Sequence, residues 1–283
     1  MIEVRDLAFS YGSKRVLDGL EFSAEPGQLV SVLGPNGVGK TTMLRCMCGI
    51  LPPERGCVTV DGVDVSTLKG RELARKVALV PQSVPRSHSM VYDCVLLGRK
   101  PHIDVGVSAE DLAITSRAIS EMGLRDLALE YADRISGGEF QKVQIARALV
   151  QEAGTLLLDE PTSNLDVSNA YETMHIIRDI ARERNVGVIM IAHDLNMAIH
   201  LSDRLVLMKN GTVFTEIAND GMTEDIIREV YNIDTKVVDG ASKPYVVPRD
   251  RYSVCRSEFT ILSFQSDTVR DPNIFLIVFL III

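Results

Sequence analysis

The sequence predicts an α/β protein, and a strand–loop–helix unit near the N-terminus is the main indication. The apolar run Leu29–Leu33 predicts a buried strand, a glycine-rich loop follows at residues 34–42, and residues 43–48 suit a helix. Further apolar runs predict other buried strands, at Val77–Val80, 155–158 and 186–191. Strands of this kind, separated by helical patterns, are typical of a parallel sheet between helices.

Composition limits the classes of protein and of partner. The chain has 283 residues, 46% of them hydrophobic and 24% charged, which predicts one large or two modest globular domains. The net charge is −8 and no long basic run occurs, so we expect no nucleic-acid partner. The N-terminus, charged and strand-like, lacks the pattern of a signal peptide.

The loop at residues 34–42 has the composition of a phosphate-binding loop. It reads Gly34-Pro35-Asn36-Gly37-Val38-Gly39-Lys40-Thr41-Thr42 and matches the pattern G-x-x-x-x-G-K-[ST]. The glycines let successive backbone N–H groups point at an anion, and the helix N-terminus adds partial positive charge. We expect Lys40 to reach the β- and γ-phosphates of a nucleotide and Thr41 to offer its hydroxyl to Mg²⁺.

Polar side chains follow two of the predicted strands. Asp159 and Glu160 end the run that begins at Thr155, and strand alternation would point them to opposite sides. This predicts that Asp159 holds Mg²⁺ and that Glu160 orients or polarises an attacking water. His193 follows the strand predicted at 186–191, at the sheet edge where ligands of parallel sheets bind.

The remaining patterns predict a small antiparallel sheet and a helical insert. Residues 2–11 and 58–65, the latter with an Asp-Gly turn, predict the sheet. Tyr11 lies at the end of the first run, and it could be a core aromatic or a ring that stacks on a base. The insert is expected at about residues 88–150.

One helix of this insert begins at a second candidate phosphate-facing end, formed by Ser136, Gly137, Gly138 and Glu139. Ser136 is a plausible cap, and the Gly-Gly pair exposes backbone N–H groups at the positive helix end. An ordinary helix cap is the alternative interpretation.

Two features carry no predicted chemistry. Cys46 and Cys48 suit apolar packing better than half of a metal site, because no second Cys/His pair follows at ligand spacing. Residues 274–283 are uniformly apolar but shorter than the roughly 20 residues of a membrane-spanning helix. We therefore expect neither feature to take part in binding a nucleotide.

The order of these motifs resembles the ATP-binding cassette (ABC) family over about residues 1–248. The resemblance implies a P-loop NTPase core of the RecA-like type, with an N-terminal antiparallel β subdomain and a helical signature subdomain. Residues 249–283 would be an extension outside the family pattern. Two differences are mild: Ile135 stands where leucine is usual, and Glu139 where glutamine is common.

The resemblance also implies roles for single residues. Tyr11 would stack on adenine, and Gln82 would sense Mg²⁺ and contact the membrane partner. Residues 136–139 resemble the family signature, which contacts the γ-phosphate of ATP held by the opposite cassette. Asp166 would lie in the loop that crosses the dimer interface, and His193 resembles the switch histidine.

Residues 91–102 are similar to a stretch typical of importer ATPases for iron–siderophore, haem and cobalamin, mainly through Gly98-Arg99-x-Pro101-His102. This implies a peripheral ATPase subunit on the cytoplasmic face of the membrane, working as two copies with Mg²⁺ and ATP. Its partners would be integral-membrane permease subunits and, indirectly, a substrate-binding protein. Tyr92 and Arg99 are expected near the permease contact.

Alternative functions fit the sequence less well. An exporter cassette is disfavoured by the Gly98-Arg99 stretch. DNA-repair and chromosome-organising ATPases share the cassette but divide it with long coiled coils, and no sustained heptads separate residues 34–42 from 136–139. No Asn-Lys-x-Asp motif of GTPases occurs.

Overall fold

Twelve strands form three sheets in the part of the chain that the structure describes. The structure is a computed structural model, and it describes residues 1–238, 240 and 243–249. In chain order the strands are β1 (Ile2–Tyr11), β2 (Lys14–Ala24), β3 (Leu29–Leu33), β4 (Arg55–Val60), β5 (Val63–Asp64), β6 (Val77–Val80), β7 (Thr155–Asp159), β8 (Gly187–Ile191), β9 (Arg204–Lys209), β10 (Thr212–Ala218), β11 (Thr235–Val238) and β12 (Tyr245–Pro248).

Eight α-helices and three short 3-10 turns connect these strands within the same described ranges. The helices are α1 (Lys40–Met47), α2 (Arg71–Ala74), α3 (Val91–Leu96), α4 (Ala109–Glu121), α5 (Gly137–Leu149), α6 (Val167–Glu183), α7 (Leu195–Leu201) and α8 (Glu224–Tyr231). The 3-10 turns are Val65–Thr67, Leu97–Arg99 and Arg125–Leu127. None of the described helices is long and apolar enough to cross a membrane.

The central sheet has six strands in the order β10-β9-β3-β8-β7-β6. All neighbours are parallel except β9 and β10, which form a hairpin. Strands β3, β7 and β8 are buried along their whole length, as their mainly apolar sequences predict. The predicted α/β class is therefore confirmed.

The N-terminal antiparallel sheet has the order β2-β1-β4-β5 and packs on the central sheet and α1 through a shared apolar core. The sequence predicted β1, β4 and β5 but missed β2. Strand β2 alternates between exposed and buried positions. Charged residues stand between its apolar ones, so the sequence shows no continuous apolar run. The hairpin β11–β12 was also missed.

The helical insert predicted at about residues 88–150 contains α3, α4 and α5, which pack on one another in the largest apolar core. Helix α4 begins with a capping box in which Ser108 Oγ accepts from Asp111 N and Asp111 Oδ2 accepts from Ser108 N. Hydrogen bonds from Ser108, together with Arg99, lower the pKa of Asp111 to about 2.

The Gly98-Arg99 stretch is a packing joint of this insert. A Cβ on Gly98 would overlap the backbone carbonyl of Arg147 in α5, so only glycine fits there. Arg99 is 5% exposed, and its side chain donates to Asp111 Oδ1 at 2.8 Å and to Val150 O at 2.8 Å. The guanidinium of Arg99 is therefore buried inside the cassette, and the expectation that Arg99 lies near the permease contact stays a prediction.

Residues Met1–Pro248 form one compact unit. The predicted extension from 250 onward, including the apolar stretch at 274–283, lies outside the described residues. Cys46 is buried and Cys48 is half-buried, both at the end of α1, and burial raises the pKa of the Cys46 thiol to about 11. The described residues contain no His/Cys/Asp/Glu cluster that could hold a metal ion.

We predict that Arg99→Ala lowers the melting temperature by roughly 10 °C, because removing one partner leaves the buried Asp111 carboxylate uncompensated. The matched control is Arg71→Ala, which removes the arginine of an exposed ion pair with Asp104. This substitution should lower the melting temperature by about 2 °C or less. Thermal unfolding monitored by circular dichroism measures both. Equal shifts in the two variants would contradict the structural role of Arg99.

Candidate functional site

The candidate site is an open cavity of about 460 Å³ at the carboxyl edge of the central sheet. It collects residues from the β1–β2 hairpin, the glycine-rich loop, the end of β6 and the residues after β7 and β8. The lining residues are Tyr11, Lys14, Val16, Asn36, Gly37, Gly39, Lys40, Thr41, Thr42, Gln82, Glu160 and His193.

The glycine-rich loop is closed on the side chain of Lys40. Lys40 Nζ donates to Gly34 O at 2.6 Å and to Pro35 O at 3.0 Å, so the loop curls around its ammonium group. Gly34 has a φ of 147°, and a Cβ there would lie 2.5 Å from Met208 O. Pro35 and Val38 line a neighbouring cavity with Asn36 and Gly37 rather than the one above.

Burial perturbs the two charges at the base of the cavity in opposite directions. Desolvation lowers the pKa of Lys40, although the nearby carboxylates of Glu160 and Asp159 oppose this shift. Desolvation also raises the pKa of Asp159, and a hydrogen bond from Thr41 partly offsets the rise. The ammonium and the carboxylate are thus held in a partly dry environment, where electrostatic interactions with a ligand are strong.

Thr41 and Asp159 supply the donors expected for Mg²⁺. Thr41 Oγ1 donates to Asp159 Oδ1 at 3.3 Å, which places a hydroxyl and a carboxylate together beside the loop. Both are hard oxygen donors, and Mg²⁺ in nucleotide sites takes one or two protein oxygens with substrate phosphates completing its shell. This donor set fits Mg²⁺ bound together with a nucleotide.

Glu160 is held by two side chains from neighbouring strand ends. Gln82 Nε2 donates to Glu160 Oε2 at 2.6 Å, and His193 Nε2 lies 2.5 Å from Glu160 Oε1. Strand β7 ends at Asp159, and Glu160 has a φ of 55°, in the left-handed region. The prediction that strand alternation sets the direction of the Glu160 side chain is therefore wrong. A turn after β7 directs Glu160 into the cavity.

Tyr11 lies at the rim of the cavity rather than in the core. The residue is 47% exposed, and the rings of Tyr11 and Phe9 form a T-shaped pair with a centroid distance of 4.9 Å and an interplanar angle of 81°. The core interpretation of Tyr11 is therefore wrong, and the exposed residue lines the cavity. Sequence reasoning missed Lys14 and Val16, which reach the same rim because β2 was not recognised.

The second helix end lies outside this cavity. Ser136 Oγ accepts from Glu139 N at 3.2 Å and Glu139 Oε2 accepts from Ser136 N at 2.8 Å, so the two residues form a capping box at the start of α5. A Cβ on Gly138 would lie 2.9 Å from Leu165 Cδ2. Asp166 caps α6 and bonds the backbone and side chain of Asn169. Residues 136–139 and Asp166 thus do not join Lys40 within one chain.

Comparisons with known proteins agree with this geometry. The family model described as ABC transporter matches residues 17–163. An uncharacterised ABC transporter ATP-binding protein of Methanocaldococcus jannaschii is 43% identical over 248 residues, covering 88% of this chain and 98% of the relative. A hemin import ATP-binding protein of Bordetella avium is 35% identical over 246 residues, covering 84% of this chain and 94% of that protein. A cobalamin import ATP-binding protein of Halobacterium salinarum is 38% identical over 82% of this chain, which spans 58% of that relative.

Two solved structures share the fold. One is described as a metal-chelate type ABC transporter in an inward-facing conformation; it is 26% identical, with a TM-score of 0.76, covering 88% of this chain and 97% of that one. The other, a dimeric structure of a bacterial ABC transporter cassette, is 26% identical with a TM-score of 0.69, covering 78% of this chain and 100% of that one. The chain is a member of the ABC transporter family and carries the family's ATP-binding and ATP-hydrolysing cassette.

Proposed function

We propose that the chain is the ATP-hydrolysing subunit of an importer for a metal chelate of the iron–siderophore, haem or cobalamin class. The main observation in support of ATP hydrolysis is the position of the Glu160 carboxylate, which contacts Gln82 and His193 beside the phosphate loop. The import half is supported by the relatives named for hemin and cobalamin import and by the Gly98-Arg99-x-Pro101-His102 stretch.

The cavity residues divide the work of phosphoryl transfer. Lys40, Asn36 and the N–H groups of the loop would bind the phosphates, and Thr41 and Asp159, with Gln82, would hold Mg²⁺. Mg²⁺ supplies positive charge beside the β- and γ-phosphates when it is bound with ATP. Glu160 would orient or deprotonate the attacking water, and His193 would hold the carboxylate in position. Tyr11 would offer its ring to adenine.

The working form in this proposal is a sandwich of two copies. The phosphate loop and residues 136–139 of one chain lie in separate regions, so one cassette alone presents an incomplete ATP site. A second copy would supply its own Ser136, Gly137 and Gly138 to the γ-phosphate, with Asp166 near the interface. The dimeric structure of a related cassette is consistent with this arrangement.

The membrane partner would be a separate permease, with the cassette bound peripherally at the cytoplasmic face of the membrane. A substrate-binding protein would deliver the chelate to that permease from the other side. ATP binding would close the two cassettes, and hydrolysis with phosphate release would open them again.

We predict that Glu160→Gln lowers ATP hydrolysis by about 10²–10⁴-fold, because the near-isosteric amide cannot act as a base. ATP should then accumulate between two copies and hold them together. Gel filtration with ATP should show a dimer for Glu160→Gln and a monomer for Lys40→Ala, which loses its phosphate contact. Asp159→Asn should weaken Mg²⁺-dependent nucleotide binding.

The matched control is Glu172→Gln, which makes the same chemical change at an exposed carboxylate paired with Lys142. It should hydrolyse ATP at the parent rate. If Glu160→Gln also kept the parent rate, Glu160 would have no catalytic role.

We also predict that Leu97→Asn reduces chelate uptake more than ATP hydrolysis. Leu97 is 55% exposed on the insert, beside the buried joint at Gly98, and a permease helix is expected to cover such an apolar side chain. Vesicles that contain the co-purifying permease measure uptake of labelled iron–siderophore, haem and cobalamin. The same substitution at Val63, an exposed residue of the N-terminal sheet, is the control. Equal losses of uptake and hydrolysis in Leu97→Asn would contradict this docking surface.

A further inference from the structure

We propose that Arg86 is a positioning residue, which holds residues 135–138 in the orientation that the second copy's ATP requires. The proposal rests on the two-copy sandwich proposed above. Arg86 belongs to residues 82–90, here called the linking segment, which connect β6 to α3. Within this segment, the function proposed above uses Gln82.

The guanidinium of Arg86 contacts both sides of Ser136. Arg86 Nη1 donates to Ile135 O at 2.7 Å, and its Cζ lies 5.2 Å from the centroid of the Phe140 ring. A Cβ built on Gly137 would lie 3.6 Å from Arg86 Nη2, so the guanidinium also lies beside the first residue of α5. Ile135 and Phe140 are buried, whereas Ser136 between them is exposed. Arg86 therefore restrains the backbone at Ile135, directly before the exposed Ser136.

The same linking segment begins at the catalytic carboxylate. Gln82 donates to Glu160, and Arg86 follows four positions later along the chain. Gln82, Arg86 and Gly137 also line one cavity of about 470 Å³ between β6 and the start of α5. A displacement of Gln82 when Glu160 of the same chain rearranges would thus reach Ile135 through four residues of backbone, the Arg86 side chain and one hydrogen bond. This gives one cassette a physical connection between its own ATP and the turn that it offers to the other.

Other contacts fix the rest of the linking segment and the start of the helix. Ala132 N donates to Ser89 O at 2.9 Å, and Val91 N donates to Glu130 O at 2.9 Å. The capping box of Ser136 and Glu139 starts α5 without help from Arg86. Loss of the Arg86 side chain should therefore leave the fold intact and change only how firmly residues 135–138 are held.

A purely structural arginine would behave differently from a positioning one. Arg86 is exposed, and a guanidinium on an aromatic ring at a surface contributes modestly to stability. If that were its whole role, removing it would lower the melting temperature slightly and leave ATP-driven pairing unchanged. If it positions the turn, pairing weakens while nucleotide binding to the single chain does not.

The experiment uses the full chain carrying Glu160→Gln, with Arg86→Gln, Arg86→Lys or Arg134→Gln added. Arg134 is the matched control, because it is an exposed arginine in the same region whose Cζ also lies over a ring, 4.9 Å from the centroid of Tyr131. Sedimentation velocity gives the ATP concentration for half-maximal dimerisation. A fluorescent ATP analogue at low protein concentration gives the affinity of the single chain.

Arg86→Gln should raise the ATP concentration for half-maximal dimerisation by about tenfold, the effect of losing one hydrogen bond from a charged donor. Single-chain affinity should stay within about twofold of the parent, because Arg86 does not line the phosphate-loop cavity. Arg86→Lys keeps a charged donor and should recover part of the loss, and Arg134→Gln should behave as the parent.

Any of three results in the dimerisation measurement would overturn the proposal: parent-like dimerisation of Arg86→Gln, an equal loss in Arg134→Gln, or a lysine variant no better than the glutamine variant. A loss of single-chain affinity in Arg86→Gln would also overturn it, since the defect would then be general. A Glu160→Gln chain that stays monomeric with ATP would instead contradict the two-copy sandwich, and this proposal with it.

Discussion

The parallel pairing of β3, β8 and β7 is the constraint on which the site depends. Val32 pairs with Ile191, and Ile191 pairs with Asp159, so the three strands end at nearly the same level. The chain leaves each strand at this edge, and the phosphate loop, His193 and Glu160 follow within one or two residues. A register shift of one residue would turn buried side chains of these strands toward the wrong face and separate the three groups.

The buried charges of the cassette fall into two kinds. The Arg99 guanidinium donates to the carboxylates of Asp111 and Glu152 and to the backbone carbonyl of Val150. Lys40, by contrast, donates to two backbone carbonyls, and burial lowers its pKa. The first arrangement stabilises a joint between helices. The second leaves a cation whose best partner, an anion of higher charge, would come from a ligand.

A motif shared with importer ATPases need not lie on the surface that contacts a permease. Gly98-Arg99-x-Pro101-His102 carries the likeness to chelate importers, yet Gly98 packs on Arg147 and the ring of His102 lies 2.9 Å from Gln151 O. These residues shape the insert from within. In the function proposed above, the permease would instead meet neighbouring exposed residues such as Leu97, which belongs to no motif.

The sequence by itself determined the phosphate loop, the three central strands, the helical insert and the identity of the polar residues at the strand ends. These follow from local patterns, because loop composition, apolar runs and capping residues act over a few positions along the chain. Residue spacing could not place Glu160, because its left-handed turn takes it off the strand, nor could it distinguish the exposed Tyr11 from a core aromatic. Three contacts were decided by the tertiary structure alone. The Arg99 guanidinium is buried against Asp111, Gln82 and His193 both contact the Glu160 carboxylate, and the backbone carbonyl of Ile135 accepts a hydrogen bond from Arg86. Each of these contacts joins residues 12 or more positions apart, and such pairs meet only when the strands and helices have packed.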